Sequence, residues 1–318
     1  MAGSARRKIS RRDVAAAAGV SMTTVTYVLR RTPGTSISEP TRRRVLEAAR
    51  RLGYEPDFAA TSLVRGRTEL VGVIAPPFNP PPNDHDAAVL AGLAAAADRT
   101  DHHLIHLDQT SPDATARCAL RGYLDGIIAI NSSGDIDLDV LADTGKPIVV
   151  LHEHVHIDYA GAMRRGVDYL AARRRHDVAV LMLDDPHTAP GRAFLRAFEA
   201  LRDEHASTMR VSLHHPDDSR CWTRAMTALI DAGSYDGYIV NTVTARIDAD
   251  PSFLFRPLVG HADVVVIGSP TQRRPVVESG IILVAPCFEA GRQLWAMLMD
   301  RIEGRAAAQA QPLAFEQA

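Results

Sequence analysis

Up to about residue 65 the apolar positions recur at helical spacing; beyond it they come in short β-branched runs. Ser10 stands three residues before Asp13, with Ile9 ahead of it and Val14 behind. That predicts a capping box with a hydrophobic staple at the start of a first helix. The helix runs to about Ala18 and turns Val14, Ala17 and Ala18 to one face. Gly19-Val20-Ser21 predicts a tight turn, with Ser21 as the cap of a second helix. Val25, Val28 and Leu29 then face inward, and Met22, Thr23, Thr26, Tyr27 and Arg30 share the outer face. A third helix is expected from Ser38, with Pro40 in its first turn, burying Val45, Leu46, Ala49 and Leu52 and ending at Gly53. Two short helices joined by a glycine turn, the second polar outside, form a helix-turn-helix arrangement.

The rest of the chain alternates strand and helix. Candidate strands are Leu70–Ala75, Leu104–Asp108, Gly126–Asn131, Pro147–Leu151, Val178–Met182, Met209–Leu213, Tyr238–Asn241, Val264–Gly268 and Ile281–Val284. Helices are expected over Asp86–Arg99, Ala114–Leu124, Ala160–Arg174, Arg192–His205, Cys221–Ala232 and Glu289–Glu303. Such alternation predicts parallel sheets covered on both faces. So many strands exceed one half-sheet, and a split near 152–158 yields two lobes, with the chain crossing back near 281–287. The expected fold is thus an all-α helix-turn-helix headpiece (1–56), a hinge helix and linker (57–68) and an α/β two-lobed body (69–318).

Charge sharpens this division. The whole chain has a net charge of −2, yet residues through Arg67 carry 14 Lys and Arg against 5 Asp and Glu, a net +9. The remainder carries 22 against 33, a net −11. A basic head on an acidic body suits a phosphate-binding module joined to a soluble domain. Cys118, Cys221 and Cys287 are odd in number and far apart, so neither a disulfide framework nor a CxxC site is readable, as in a reducing cytoplasm. No apolar run is long enough to span a membrane, and no apolar stretch follows Arg6, Arg7 and Lys8 as in a secretory signal. GxSxG, GxGxxG and P-loop motifs are missing, so no enzymatic activity and no cofactor are expected.

The ordered run Asp13-Val14-Ala15, Ala18-Gly19-Val20-Ser21, Thr24-Val25, Thr41-Arg42, Arg44-Val45 and Leu52-Gly53-Tyr54-Glu55-Pro56 closely resembles the headpiece of the lactose-repressor (LacI/GalR) family. The resemblance implies a periplasmic-binding-protein-like body, a homodimer, a double-stranded, pseudo-palindromic DNA operator and control, most often repression, by a small-molecule effector. Phe58–Val64 resembles the family's hinge helix, with Asp57 as cap and Gly66 as terminator, and Leu63 matches the residue that enters the minor groove. Met22, Thr23 and Tyr27 match the positions that reach base edges. With Ser21, Thr26, Arg30 and Leu63 they form the candidate DNA-contacting set. Many members carry arginine where Tyr27 stands. The loop Arg31–Ser36 is about two residues longer than usual, and Val243–Val259 is short for the family's helix-rich stretch.

Val71-Gly72-Val73-Ile74-Ala75-Pro76, Asp125-Gly126-Ile127-Ile128, Lys146-Pro147-Ile148-Val149-Val150 and Val266-Ile267-Gly268 also resemble family strands, but the ligand positions depart. His85-Asp86 replaces an aromatic pair, His152-Glu153 an Asp-Arg, Asn241-Thr242 an Asn-Asp, and Ser269-Pro270-Thr271 the acidic loop after the eighth strand. His85, Asp86, His152, Asn241 and either Arg192 or Arg196 are therefore the candidate effector residues, for a small polar ligand rather than an ordinary sugar, in a pocket titrating across the histidine range. The Phe78–Asn83 loop would roof the crevice. His152, His154 and His156 would share a face of an extended strand, the one metal-like grouping, although a solvated rim is the simpler reading and no metal is expected. Two other functions stay open: an effector-independent DNA-binding regulator with a degenerate pocket, and an α/β enzyme or carrier-type binding protein with an accessory headpiece.

Overall fold

A computed structural model describes residues 9–30, 34–56, 58–76, 83–108, 117–130, 141–182, 186–205, 209–214, 228–229, 231–243, 263–269, 280–306 and 311–318. The chain forms two compact units, Met1–Thr68 and Glu69–Ala318.

In the first unit, Ser10 accepts the Asp13 N–H while the Asp13 carboxylate accepts the Ser10 N–H at 2.8 Å. This reciprocal cap opens helix α1 (Arg11–Ala18), and Gly19 ends it with a φ of 65°. The Ser21 hydroxyl accepts the Thr24 N–H at 3.1 Å at the start of α2 (Met22–Arg30). Helix α3 (Glu39–Leu52) follows, and Gly53 closes it at a φ of 62°. Helix α4 covers Phe58–Arg65; its expected cap, Asp57, lies outside the described residues.

Two inward positions differ from the expected ones. On α1 the buried face is Val14, Ala15 and Ala18, while Ala17 is exposed. Ala17 falls about 60° behind Val14 on the helical wheel, outside the arc those three share. On α3, Val45, Ala48 and Ala49 are buried, and Leu46 stays 38% exposed. It lies about 100° around from Val45 and clears the partner helices.

The second unit starts with β1 (Leu70–Ala75), α5 (Asp84–Ala97), β2 (His103–Asp108), β3 (Gly126–Ala129) and β4 (Ile148–Val150). These strands make one parallel sheet in the order β2-β1-β3-β4. Helix α6 (Tyr159–Ala172), β5 (Asp177–Met182), α7 (Ala189–His205), β6 (Arg210–His214), β7 (Gly237–Asn241), β8 (Asp263–Gly268) and β9 (Gly280–Val284) follow. Helix α8 (Cys287–Ile302) and β10 (Glu316–Gln317) complete the unit. The second sheet runs β10-β9-β8-β7-β5-β6, parallel except for β10. β1, β5, β7 and β8 are apolar and buried almost throughout, as strands covered on both faces must be. The short antiparallel β10 was not expected, since two polar residues carry no strand periodicity.

The lobes are not sequential. After β9, α8 packs against α5, β3 and β4 of the first lobe, and the chain then returns to place β10 on β9. In each sheet the order changes direction beside the first strand of the lobe, β1 or β5. Crevices form at the carboxyl ends of strands at such points. Those ends carry α5, the His152 turn, α7, Asn241 and Ser269. Among the described residues no helix is long and apolar enough to cross a membrane.

Candidate nucleic-acid interface and effector site

The outer face of α2 begins with Met22, 55% exposed, then Thr23, also exposed, and Tyr27, 41% exposed. Val25 and Val28 on the opposite side are buried against α1 and α3. Burial of one stripe thus fixes which residues face out. Ser21 is exposed, with its hydroxyl engaged at the helix start. Thr26 is half-buried; its hydroxyl donates to the Met22 carbonyl at 2.9 Å and accepts from Arg11 Nη1 at 3.1 Å. It ties α1 to α2 more than it extends outward. The side chain of Arg30 lies outside the described residues, as do residues 31–33 of the following loop. An open groove borders this face, lined by Ser10, Arg11, Arg12, Met22, Thr23 and Thr26. On α4, Leu63 is 86% exposed, an apolar side chain the unit leaves uncovered.

In the second unit, Asn83 caps α5 by accepting the Asp86 N–H at 2.9 Å. This places Asp84, His85 and Asp86 in the first turn, with His85 and Asp86 fully enclosed. His85 Nδ1 lies 3.0 Å from Asp86 Oδ1, so Nδ1–H donates to the carboxylate and Nε2 is the remaining nitrogen. Nε2 is buried with no hydrogen-bond partner. The His152 ring stacks near the His85 ring, centroids 5.9 Å apart at 15°. His152 is partly accessible as a residue, but its Nε2 is enclosed and also lacks a partner. Beyond it stand Tyr159 at 6.3 Å, then Phe194 at 6.3 Å and Phe315 at 5.5 Å from Tyr159.

Burial lowers the His152 pKa to about 3, helped by the nearby His85 and His156. The imidazole is therefore neutral near pH 7. This revises the expectation of a pocket titrating across the histidine range: for His152 the transition lies well below it. The same burial, with the Asp86 charge, pushes the Cys287 thiol up and keeps it protonated.

The proposed strand bearing three aligned histidines is instead a turn. Residues 152–154 are turn residues, His152 has a φ of 68°, and its N–H donates to the Val155 carbonyl at 2.8 Å. His154 Nδ1 accepts the Val150 N–H at 3.1 Å, while His156 is exposed. The three rings therefore point to different places. Among the described residues no group of three or more His, Cys, Asp or Glu is arranged to hold a metal.

Arg192 and Arg196 are both exposed on α7, and the Arg192 guanidinium donates to the His187 carbonyl, just ahead of that helix. Asn241 is buried at the carboxyl end of β7, in register with Ile267 of β8. Two residues beyond Ile267, the buried Ser269 hydroxyl reaches Asp84 Oδ2 at 3.4 Å, linking the second lobe to the start of α5. Residues 78–82 of the roof loop and 244–259 of the short stretch lie outside the described residues. Tyr159, Cys287 and Phe315 are parts of this surround that sequence reasoning missed, and Ser269, read at a ligand position, was not carried into the candidate set. Tyr159 follows the histidine turn closely enough to have been suspected; Phe315 carries no signal.

One consequence is a specific acid sensitivity. Between about pH 6.5 and pH 3 the unfolded chain's imidazole takes a proton that folded His152 refuses. Its contribution to stability is full above pH 6.5 and falls by about 1.4 kcal/mol per pH unit towards acid. His152→Asn keeps a side chain that tolerates positive φ. Urea unfolding between pH 4 and 6.5 is expected to show a shallower loss of stability in the variant; equal slopes would mean His152 is not the group responsible.

The model of the bacterial regulatory proteins of the lacI family matches residues 11–57. A regulator of Bacillus subtilis strain 168, the uncharacterized HTH-type transcriptional regulator YkvZ, is 30% identical over 183 residues, covering 54% of each chain. The aligned stretch thus spans about half the length of that relative. Among solved structures, the lac repressor dimer bound to operator and the anti-inducer ONPF matches 98% of both chains at a TM-score of 0.78 and 18% identity. The transcriptional regulator CelR in complex with cellobiose matches 98% of both chains, with a TM-score of 0.59 and 20% identity. The architecture is a helix-turn-helix unit followed by a two-lobed, periplasmic-binding-protein-like body, and residues 11–57 of the chain match the lacI family of bacterial regulatory proteins.

Proposed function

We propose that this protein is a sequence-specific, DNA-binding transcription regulator, acting as a homodimeric repressor on a pseudo-palindromic operator. A small polar effector held between the lobes of the body controls it. The observation that carries the reading is the outward face of α2, in a basic unit that matches the family model over residues 11–57. Helix α2 enters the major groove, and Met22, Thr23 and Tyr27 meet base edges. Ser21, Thr26 and Arg30 support that face at the backbone. The exposed Leu63 on α4 is an apolar wedge for the minor groove, where unstacking one step offsets its cost by bending the duplex. The lac repressor dimer bound to operator supports the dimeric arrangement by likeness of fold. Residues 1–56 serve as headpiece, 57–68 as hinge and 69–318 as the effector and dimer domain. The chemistry is recognition rather than catalysis, and it takes place in the cytoplasm.

The enclosed nitrogens of His85 and His152 favour a working pocket over a degenerate one. Buried polar atoms without partners cost about 1–3 kcal/mol each, a cost that a bound ligand offsets.

Tyr27 tests the α2 assignment. A phenol offers a single hydrogen bond or an apolar contact, whereas arginine reads guanine with two. Tyr27→Arg is expected to shift the preferred half-site towards guanine at one base pair, by about 1–3 kcal/mol. Competition binding against single-base variants of the bound duplex measures this, and an unchanged base profile would place Tyr27 off the groove.

A further inference from the structure

We propose that the effector held between the lobes is a small organic cation with N–H donors, an amine rather than an anion or an uncharged polyol. The inference rests on the reading of the body as an effector domain and adds the ligand's chemical class. It starts from His85 Nε2 and His152 Nε2, both enclosed and both without a hydrogen-bond partner. His85 spends its Nδ1 proton on Asp86 at 3.0 Å, which leaves Nε2 as an acceptor. His152 is neutral, and with its proton on Nδ1 its Nε2 offers a second lone pair. The site thus presents acceptors, and a ligand must bring the donors.

Charge then decides between donor-bearing ligands. The first turn of α5 carries the carboxylates Asp84 and Asp86, the second fully enclosed. Arg192 and Arg196, the candidate cations for the effector, are exposed on α7. Among the described residues, the charged neighbours that shift His152 are His85 and His156. A carboxylate or phosphate ligand would be repelled by these two carboxylates, whereas an ammonium group would be attracted by them. Tyr159, with its ring 6.3 Å from that of His152, adds an aromatic wall of the kind that favours cations.

The test uses the full chain and a four-carbon set, putrescine, butanediol and succinate, each at millimolar concentration. Calorimetry and thermal denaturation report binding, and retention of a duplex selected from random-sequence DNA reports the regulator reading separately. Putrescine is expected to bind and raise the Tm, with butanediol and succinate ineffective. His85→Phe and His152→Asn, each checked for a native-like unfolding transition, are expected to weaken putrescine binding about tenfold or more, as loss of a hydrogen bond to a charged group should. His152→Asn is the arm that remains informative if the enclosed His85 position does not tolerate substitution. Succinate or butanediol binding as well as putrescine, or no binding by any of the three, would overturn the inference. If the chain still selects DNA in that case, the regulator reading stands; failure to select DNA counts against that reading instead.

Discussion

A fragment starting at Glu69 is expected to lose all sequence-specific DNA affinity while keeping a cooperative unfolding transition. The cut falls between the two compact units, and the body keeps both sheets with their own buried clusters. What leaves is the basic unit, 14 Lys and Arg against 5 Asp and Glu through Arg67, together with α2. The remaining chain carries 22 against 33 and should repel a polyanion. For the full chain, each phosphate neutralised contributes a slope of about −0.9 to log K against log salt, so six to ten contacts would cost about 10³–10⁵ in affinity between 50 and 200 mM salt. Fluorescence anisotropy across that range measures both effects. A body fragment that retains specific binding, or a full chain indifferent to salt, would place the interface elsewhere.

The second large effect concerns the crossing of α5 and α8. A Cβ added at Gly92 would sit 2.0 Å from the Phe288 carbonyl oxygen, and one at Gly291 would sit 2.1 Å from that of Val89. Both obstacles are backbone, which no rotamer change can clear. Alanine normally stabilises a helix interior by about 1 kcal/mol over glycine. Here the sign reverses, and Gly291→Ala is expected to cost about 3 kcal/mol or more in urea unfolding, at the upper end for overpacking. The crossing also holds His85 and Asp86 against the start of α8, so ligand binding should fall with stability. A loss below about 1 kcal/mol would mean that the two helices separate easily.

Why the headpiece was legible and the pocket was not follows from the range of the forces involved. Ser10, Asp13, Gly19 and Ser21 act within three or four residues, so their pattern is written in the chain order. The β-branched runs likewise announced all the strands of the parallel sheets, their ends shifted by a residue or two. Ala17 and Leu46 went astray because composition marks a residue as apolar without saying where the buried arc stops. The histidine run failed for a different reason. Period-two spacing assumes extended backbone, and His152 instead adopts a φ of 68° and closes a turn onto Val150 and Val155. The stacking of His85 on His152, the Ser269–Asp84 link and the return of Phe315 to Tyr159 join residues far apart in sequence. They depend on packing within each lobe and, for Ser269–Asp84, between the lobes, and no local spacing encodes that.

The central claim, that this chain reads DNA sequence as a symmetric pair of headpieces, is tested most directly by selection from a random-sequence duplex pool. The full chain should enrich one pseudo-palindrome whose half-sites are related by a two-fold axis, as a dimer with one α2 in each major groove requires. Enrichment should disappear when Met22, Thr23 and Tyr27 are replaced together by alanine. A pool left unchanged after repeated rounds, or a selected motif indifferent to those replacements, would contradict the account.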